Sequence, residues 1–301
     1  MKERIYSILK LFFPFVLVYG KRLKKYIRRR RLHKQELLGN VVSQKQLEED
    51  LAAIGLQKGD SVIVHSSLRK IGVVQGGAQA VIDALLNVLT PNGTLLCPTS
   101  TANKLYKHYL EENPVFDVRN TPSLYGTITE TFRKMPGVKR SIHPTESVAA
   151  KGPLASYFVE EHFNQLTPYN DKSPFYKLCL KNGKILLLGV KVEVCINLHV
   201  VEDLLPSYMP DVYYPKNFKA NVIDYEGVRH TVDTKVHDPK YAYIRKPNSL
   251  QRYFDEAGII KHGKIGNADA MLIDANEMLQ CMIRIFNERG ITMYSPNGIS
   301  K

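Results

Sequence analysis

The chain has 301 residues, 44% hydrophobic and 24% charged, which is enough apolar material for a full core and excludes wholesale disorder, collagen and coiled coil. Its four cysteines, Cys97, Cys179, Cys195 and Cys281, show no CxxC or paired spacing, which excludes a zinc ribbon or a disulfide framework and favours a reduced, cytoplasmic setting. The net charge is +13, but residues 1–40 hold 12 Lys/Arg against 2 acidic residues, so the body is nearly neutral and the basicity belongs to an appendage.

Within residues 1–40 an apolar run of nine, Leu11 to Tyr19, precedes the basic block Lys21 to Arg31. A spanning helix needs about 20 apolar residues. A secretory signal carries its charge before the apolar run and closes on a small-residue site, which is not the order here. The pattern over residues 5–31 predicts a peripheral anchor on the inner face of the cytoplasmic membrane, with aromatic and aliphatic side chains at the acyl boundary and a polybasic block on anionic headgroups. A helix packed on the body, or on a second subunit of a homodimer, is the alternative. A nucleic-acid arm has the four consecutive arginines Arg28 to Arg31 in its favour but no accompanying motif, so nucleic acid is not expected as a partner.

The body, residues 41–301, is expected to form one domain. Ser43 reads as the N-cap of a helix over Gln44 to Ala53, with Gln46 at the capping-box position. Lys58-Gly59-Asp60 is a turn, Ser61 to His65 a buried strand, Ala78 to Leu89 a helix with Val81, Leu85 and Val88 on one face, and Thr94 to Cys97 the next strand. Such a strand–loop–helix–strand unit belongs to parallel α/β proteins. Helices are predicted at Gly126 to Met135 and Leu154 to Phe163, a buried strand at Lys184 to Val190, a small antiparallel excursion within residues 210–245, and a long helix from Ala268 to Arg289. The expected architecture is a layered α/β/α sandwich with a mostly parallel central sheet and a small inserted antiparallel β region.

Three clusters could carry chemistry, and none has metal-ligand spacing, so no metal is expected. His65-Ser66-Ser67-Leu68 at a strand end opens onto Gly76-Gly77 at a helix start, which suits phosphate or pantetheine recognition, or is simply a tight βα turn. Arg140-Ser141-Ile142-His143-Pro144 offers a phosphate partner and an imidazole of general-base pKa, or an ordinary loop. His199 and Glu202 share a helix face at i, i+3 and, with the Asp171 to Phe175 loop, could line an acidic pocket, or be an ordinary polar helix face. A serine hydrolase would want a GxSxG nucleophile elbow, which His-Ser-Ser does not supply. A non-catalytic membrane- or nucleic-acid-binding module would have had no need to keep His143, Glu202 and Asp171.

In order and spacing these segments resemble the aminoglycoside 3-N-acetyltransferase family. The similar elements run from Gly59 to Leu68, through Gly76-Gly77-Ala78, Gly93 to Leu96 with Pro98-Thr99, Gly126 to Glu130, Arg140 to Pro144, Asp171, Ser173-Pro174-Phe175, Gly183 to Gly189, and His199 with Glu202, to Gly266 and Ala268. The resemblance implies an acetyl-CoA-dependent acyltransferase that passes acetyl directly to the amine of an amino sugar. It places His65, Ser66, Ser67, Leu68, Gly76, Gly77 and Thr99 at the coenzyme A site, with Arg140 and Ser141 nearby. It makes His143 the general base, Glu202 its orienting acid, and Asp171 and His199 part of the acceptor pocket or of that network. Residues 203–245, which should frame the acceptor, alternate in charge, which suggests an amino sugar on a nucleotide or lipid carrier rather than a polycationic drug.

Overall fold

The computed structural model describes residues 41–102, 105–205 and 211–298, together with Tyr26 and Arg30. The chain divides into two units at Val42/Ser43. Of the first, Tyr26 and Arg30 are helical and exposed, with the Arg30 guanidinium over the Tyr26 ring. The rest of the anchor predicted at residues 5–31 lies outside the described residues. Among the described residues no helix is long and apolar enough to cross a membrane.

In the second unit, ten strands are labelled in chain order: β1 (Ser61–Ser66), β2 (Thr94–Pro98), β3 (Val115–Asp117), β4 (Lys139–Arg140), β5 (Val148–Lys151), β6 (Lys184–Leu188), β7 (Phe218–Ile223), β8 (Arg229–Thr234), β9 (Ile260–Ile265) and β10 (Ala268–Asp274). Seven of them make one sheet in the order β9-β10-β6-β1-β2-β5-β4. Its centre is the parallel trio β6-β1-β2, with Val62 opposite Leu95 and Lys184. Both faces of these strands are covered, so Val62, Ile63 and Val64, and Ile185 to Leu188, run on without polar alternation.

A mostly parallel sheet is corrected: β10 on β6, β9 on β10, β5 on β2 and β4 on β5 all pair antiparallel, and the sheet is mixed. The long helix predicted from Ala268 is corrected too. Along β10 Ala268, Ala270 and Leu272 are buried while Asp269 is exposed and Met271 half-buried, and Asp274 then caps a shorter helix, Ala275–Arg289, through the amides of Asn276 and Glu277. The helix at Gln44–Ala53 forms as expected, with Ser43 Oγ accepting from the Gln46 amide at 3.1 Å. Gln46 does not close the capping box; its side chain donates to Asp50 instead.

Ile63, Ile185, Leu187 and Ile273 pack with the helices Ala155–Val159, Pro174–Leu180, Gln251–Glu256 and Ala275–Arg289 in one large core. Helix Gly77–Leu89 packs on β2 and on helices Gln44–Ala53 and Thr127–Phe132. The expected excursion is the antiparallel hairpin β7–β8, to which β3 adds in parallel, built around Phe116, Phe218, Val222 and Val232. Tyr225 in the hairpin turn accepts from the Arg140 amide and so ties this small sheet to the edge of the large one.

Candidate active site

After β6 the chain makes a 3-10 turn, Ile196–His199, that runs into the short helix Val200–Leu204. Residues three apart there share a face, and Glu202 Oε1 accepts from His199 Nδ1 at 3.0 Å. Tyr294 OH donates to the same oxygen at 2.5 Å, and His237 Nε2 lies 2.7 Å from Oε2. Burial alone would raise the Glu202 pKa, but the two imidazoles and their hydrogen bonds overcome it and hold the carboxyl well below the usual carboxylate range. Burial pulls His199 down to about 4, against the opposing pull of Glu202. With Glu202 as acceptor, Nδ1 carries the proton and the Nε2 lone pair is left over; it meets Arg245 Nη1 at 3.1 Å.

Aromatic packing fixes both rings. Tyr169 stacks on His199 at 5.1 Å and on His237 at 5.6 Å, and Tyr213 stacks on His237 at 5.2 Å. Asp203 holds the two tyrosines in place, accepting from Tyr213 OH and from the Tyr169 amide.

This network forms one wall of a cavity of about 630 Å³. The cavity opens at the carboxyl ends of parallel strands, where Val64, His65 and Ser66 of β1 and Pro98 of β2 line it, as is usual for ligand sites in such sheets. Val190, Val194 and Ile196 add an apolar side, and Tyr106, Tyr125, Glu146 and Arg245 a polar one. His65 Nε2 is buried without a hydrogen-bond partner among the described residues, and burial lowers that imidazole to about 4. Burial likewise raises Glu146 to about 7, against opposing hydrogen bonds from Tyr106 and Tyr169. An apolar side facing a polar one, beside one orphaned imidazole nitrogen, fits a ligand that alternates methylenes with amides, as pantetheine does.

Of the residues singled out from the sequence, the structure brings His65, Ser66, His199 and Glu202 together at this wall. His143 is elsewhere, and its pairing with Glu202 is corrected. Its ring is fully buried, accepts from the Glu146 amide at 3.2 Å and stacks on His162, while the Glu202 oxygens are occupied by His199, His237 and Tyr294. Burial, with His162 beside it, takes the His143 pKa well down. Asp171 is exposed in the turn before helix Pro174–Leu180 and does not line the cavity.

Arg140 is turned inward. It donates to Thr99 Oγ1, Ser147 Oγ and the carbonyls of Thr99 and Thr121, with its guanidinium 4.8 Å from the Phe116 ring centre. Thr99 serves that network, and Ser141 Oγ pairs with His162 and the Val148 amide. Ser67 and Leu68 begin the short helix Leu68–Ile71. Gly76, in the left-handed region at φ +82°, caps helix Gly77–Leu89 and borders a separate pocket with Gln44 and Asp83. The sequence pattern assigns no role to His237, Tyr294, Tyr169, Glu146 or Arg245, all of which belong to this site. His237 and Tyr294 reach Glu202 from 35 and 92 residues away, and no local period marks them.

A buried imidazole–carboxylate pair at a cavity wall is an arrangement that can accept a proton from a bound ligand, and similarity to known proteins identifies the enzyme class as acyl transfer. The family model for aminoglycoside 3-N-acetyltransferase matches residues 63–287. Aminoglycoside N(3)-acetyltransferase IX of Micromonospora chalcea is 30% identical over 263 residues, 81% of this chain and 93% of that protein. The crystal structure of the aminoglycoside acetyltransferase AAC(3)-Xa superposes with a TM-score of 0.73 at 28% identity, covering 86% of this chain and 98% of that one. AAC-VIa bound to sisomicin superposes with a TM-score of 0.69 at 27% identity, covering 82% and 98%. The chain belongs to the aminoglycoside 3-N-acetyltransferase family.

Proposed function

We propose that this protein transfers the acetyl group of acetyl-CoA to an amine of an aminoglycoside-type amino sugar, with His199 as general base. The observation that carries the base assignment is the 3.0 Å contact between Glu202 Oε1 and His199 Nδ1 at the cavity wall. It fixes the tautomer that leaves Nε2 able to take a proton. An ammonium cannot attack a thioester until it loses a proton, and Nε2 accepts it. With that first proton passed on to solvent, the neutral amine nitrogen bonds to the carbonyl carbon and gives its second proton to Nε2, the carbon–sulfur bond breaks, and that second proton goes to the leaving thiolate, so that amide, coenzyme A thiol and one solvent proton result. Glu202 orients the ring and stabilises the imidazolium that forms. The β1 end, His65 and Ser66, is proposed to contact the pantetheine arm.

Residues 41–301 are proposed as the acetyltransferase domain and residues 1–40 as an appendage that holds it to an anionic lipid surface. Co-sedimentation of the full chain with phosphatidylserine vesicles, lost at high salt, tests the second point. Release of coenzyme A thiol with kanamycin or sisomicin as acceptor, in wild type and His199→Gln, tests the first. Turnover absent from wild type with acetyl-CoA bound would overturn the acceptor class. Turnover retained by the variant would overturn the base.

A further inference from the structure

Arg245 stands just past the helix Pro239–Ile244, none of whose residues is buried. Its side chain lines the cavity, and Nη1 donates to His199 Nε2 at 3.1 Å. That nitrogen is the atom that must receive the acceptor's proton if His199 is the base, and the inference rests on that reading. A planar cation with five donors matches a carboxylate or phosphate far better than the single lone pair of a neutral imidazole. Arg245 forms no ion pair with a carboxylate among the described residues. Glu193, also at the cavity, takes the Asn248 amide, and Glu202 is filled by His199, His237 and Tyr294.

We propose that Arg245 is a recognition residue for an anionic group, phosphate or carboxylate, on a bound substrate, and that engaging this group draws the guanidinium off His199 Nε2 and frees the base. The anion is either on the acceptor, making it an amino sugar that also carries an acid, or on the coenzyme.

The groups facing His199 are Glu202, His237, Tyr169 and Arg245. Arg245 holds His199 by one hydrogen bond and makes no ion pair among the described residues, so it can change partner when an anion arrives. Imidazole NMR on the full chain, with His199 assigned by loss of its signal in His199→Gln, therefore reads the step directly. The probes are inorganic pyrophosphate, CoASH, glucosamine 1-phosphate and glucosamine, which carries no acidic group, against wild type, Arg245→Ala and Arg245→Lys. Anionic probes are expected to raise the His199 titration midpoint in wild type only. Arg245→Ala should start with that midpoint already raised and bind anionic probes about tenfold to hundredfold more weakly, with glucosamine unchanged. Arg245→Lys should recover part of the affinity.

A loss confined to CoASH assigns the anion to the coenzyme, and one confined to glucosamine 1-phosphate assigns it to the acceptor. Equal affinities in wild type and Arg245→Ala, an unmoved midpoint, or no binding of any anionic probe would overturn the proposal. These readouts need no turnover. An absence of acetyl transfer in wild type would therefore sink the proposed function without deciding the role of Arg245.

Discussion

The His143 imidazole stacks on that of His162, with ring centres 4.5 Å apart and planes 15° from parallel. Both rings are fully buried. A histidine held this way, with Nδ1 accepting the Glu146 amide, organises the loop that carries Glu146 to the cavity. It does not line the cavity. His199, by contrast, lies at the cavity with its Nδ1 held by a carboxylate.

The two histidines should therefore separate cleanly on substitution. His143→Gln is expected to cost about 1–3 kcal/mol of stability through lost buried hydrogen bonding. The folded remainder should keep the wild-type pH profile. His199→Gln should unfold near the wild-type temperature and lose about 10²–10⁴-fold in kcat. Thermal melts and steady-state kinetics on the same preparations decide it; the reverse pattern returns the base role to His143.

Acid sensitivity follows from the buried imidazoles. His65 and His199 are lowered to about 4 and His162 to about 3, in each case chiefly by burial. The unfolded chain protonates these groups near 6.5, the folded one does not. Their contribution is thus intact above pH 6.5 and is lost as pH falls toward 4. Urea midpoints measured between pH 7 and 4 should drop progressively, and His162→Gln should make that drop shallower by about one proton.

Much of this was legible in the sequence, and the misses have physical causes. The run Val62-Ile63-Val64, the Ser43 cap and the i, i+3 spacing of His199 and Glu202 are local signals, and the structure carries all three. Strand direction in the sheet is not local. Nothing in Ala268 to Asp274 says that β10 returns antiparallel to β6, and its seven residues fit a helix start almost as well. Arg140 reads as a phosphate ligand because arginines are usually exposed. Here the carbonyls of Thr99 and Thr121, 41 and 19 residues away, consume its donors.

Gly93 tests the strand entry. A Cβ there would come within 2.8 Å of Leu89 Cβ and of the Asp60 carbonyl and within 2.7 Å of the Leu89 carbonyl, where helix Gly77–Leu89 hands over to β2. Backbone on two sides cannot give way as a flexible side chain can. Gly93→Ala is expected to destabilise the protein by about 1–3 kcal/mol, whereas Gly59→Ala, with nothing near its Cβ, pays only for a left-handed φ of +83°. Denaturant midpoints should rank Gly93→Ala clearly below Gly59→Ala.

Glu146 should make acceptor binding depend on pH, and its effect on stability should run opposite to that of the imidazoles. Its carboxyl is buried at the cavity, accepts from Tyr169 OH at 3.3 Å, and is raised to about 7, chiefly by burial. It is largely neutral below that pH and ionised above it. A carboxylate facing the cavity attracts the acceptor's ammonium, and the neutral acid does not. KM for a cationic acceptor should therefore fall as pH rises from 6 to 8 in the wild type and stay flat in Glu146→Gln, with KM for acetyl-CoA alike in both. The folded pKa also lies above the unfolded value of 4.5, so this group's stabilising effect is complete below 4.5 and fades as pH rises through 7. Glu146→Gln should thus gain stability relative to wild type at pH 8 and not at pH 4. An acceptor KM that tracks pH identically in both proteins would remove Glu146 from the binding site and leave it a buried acid of the His143 loop.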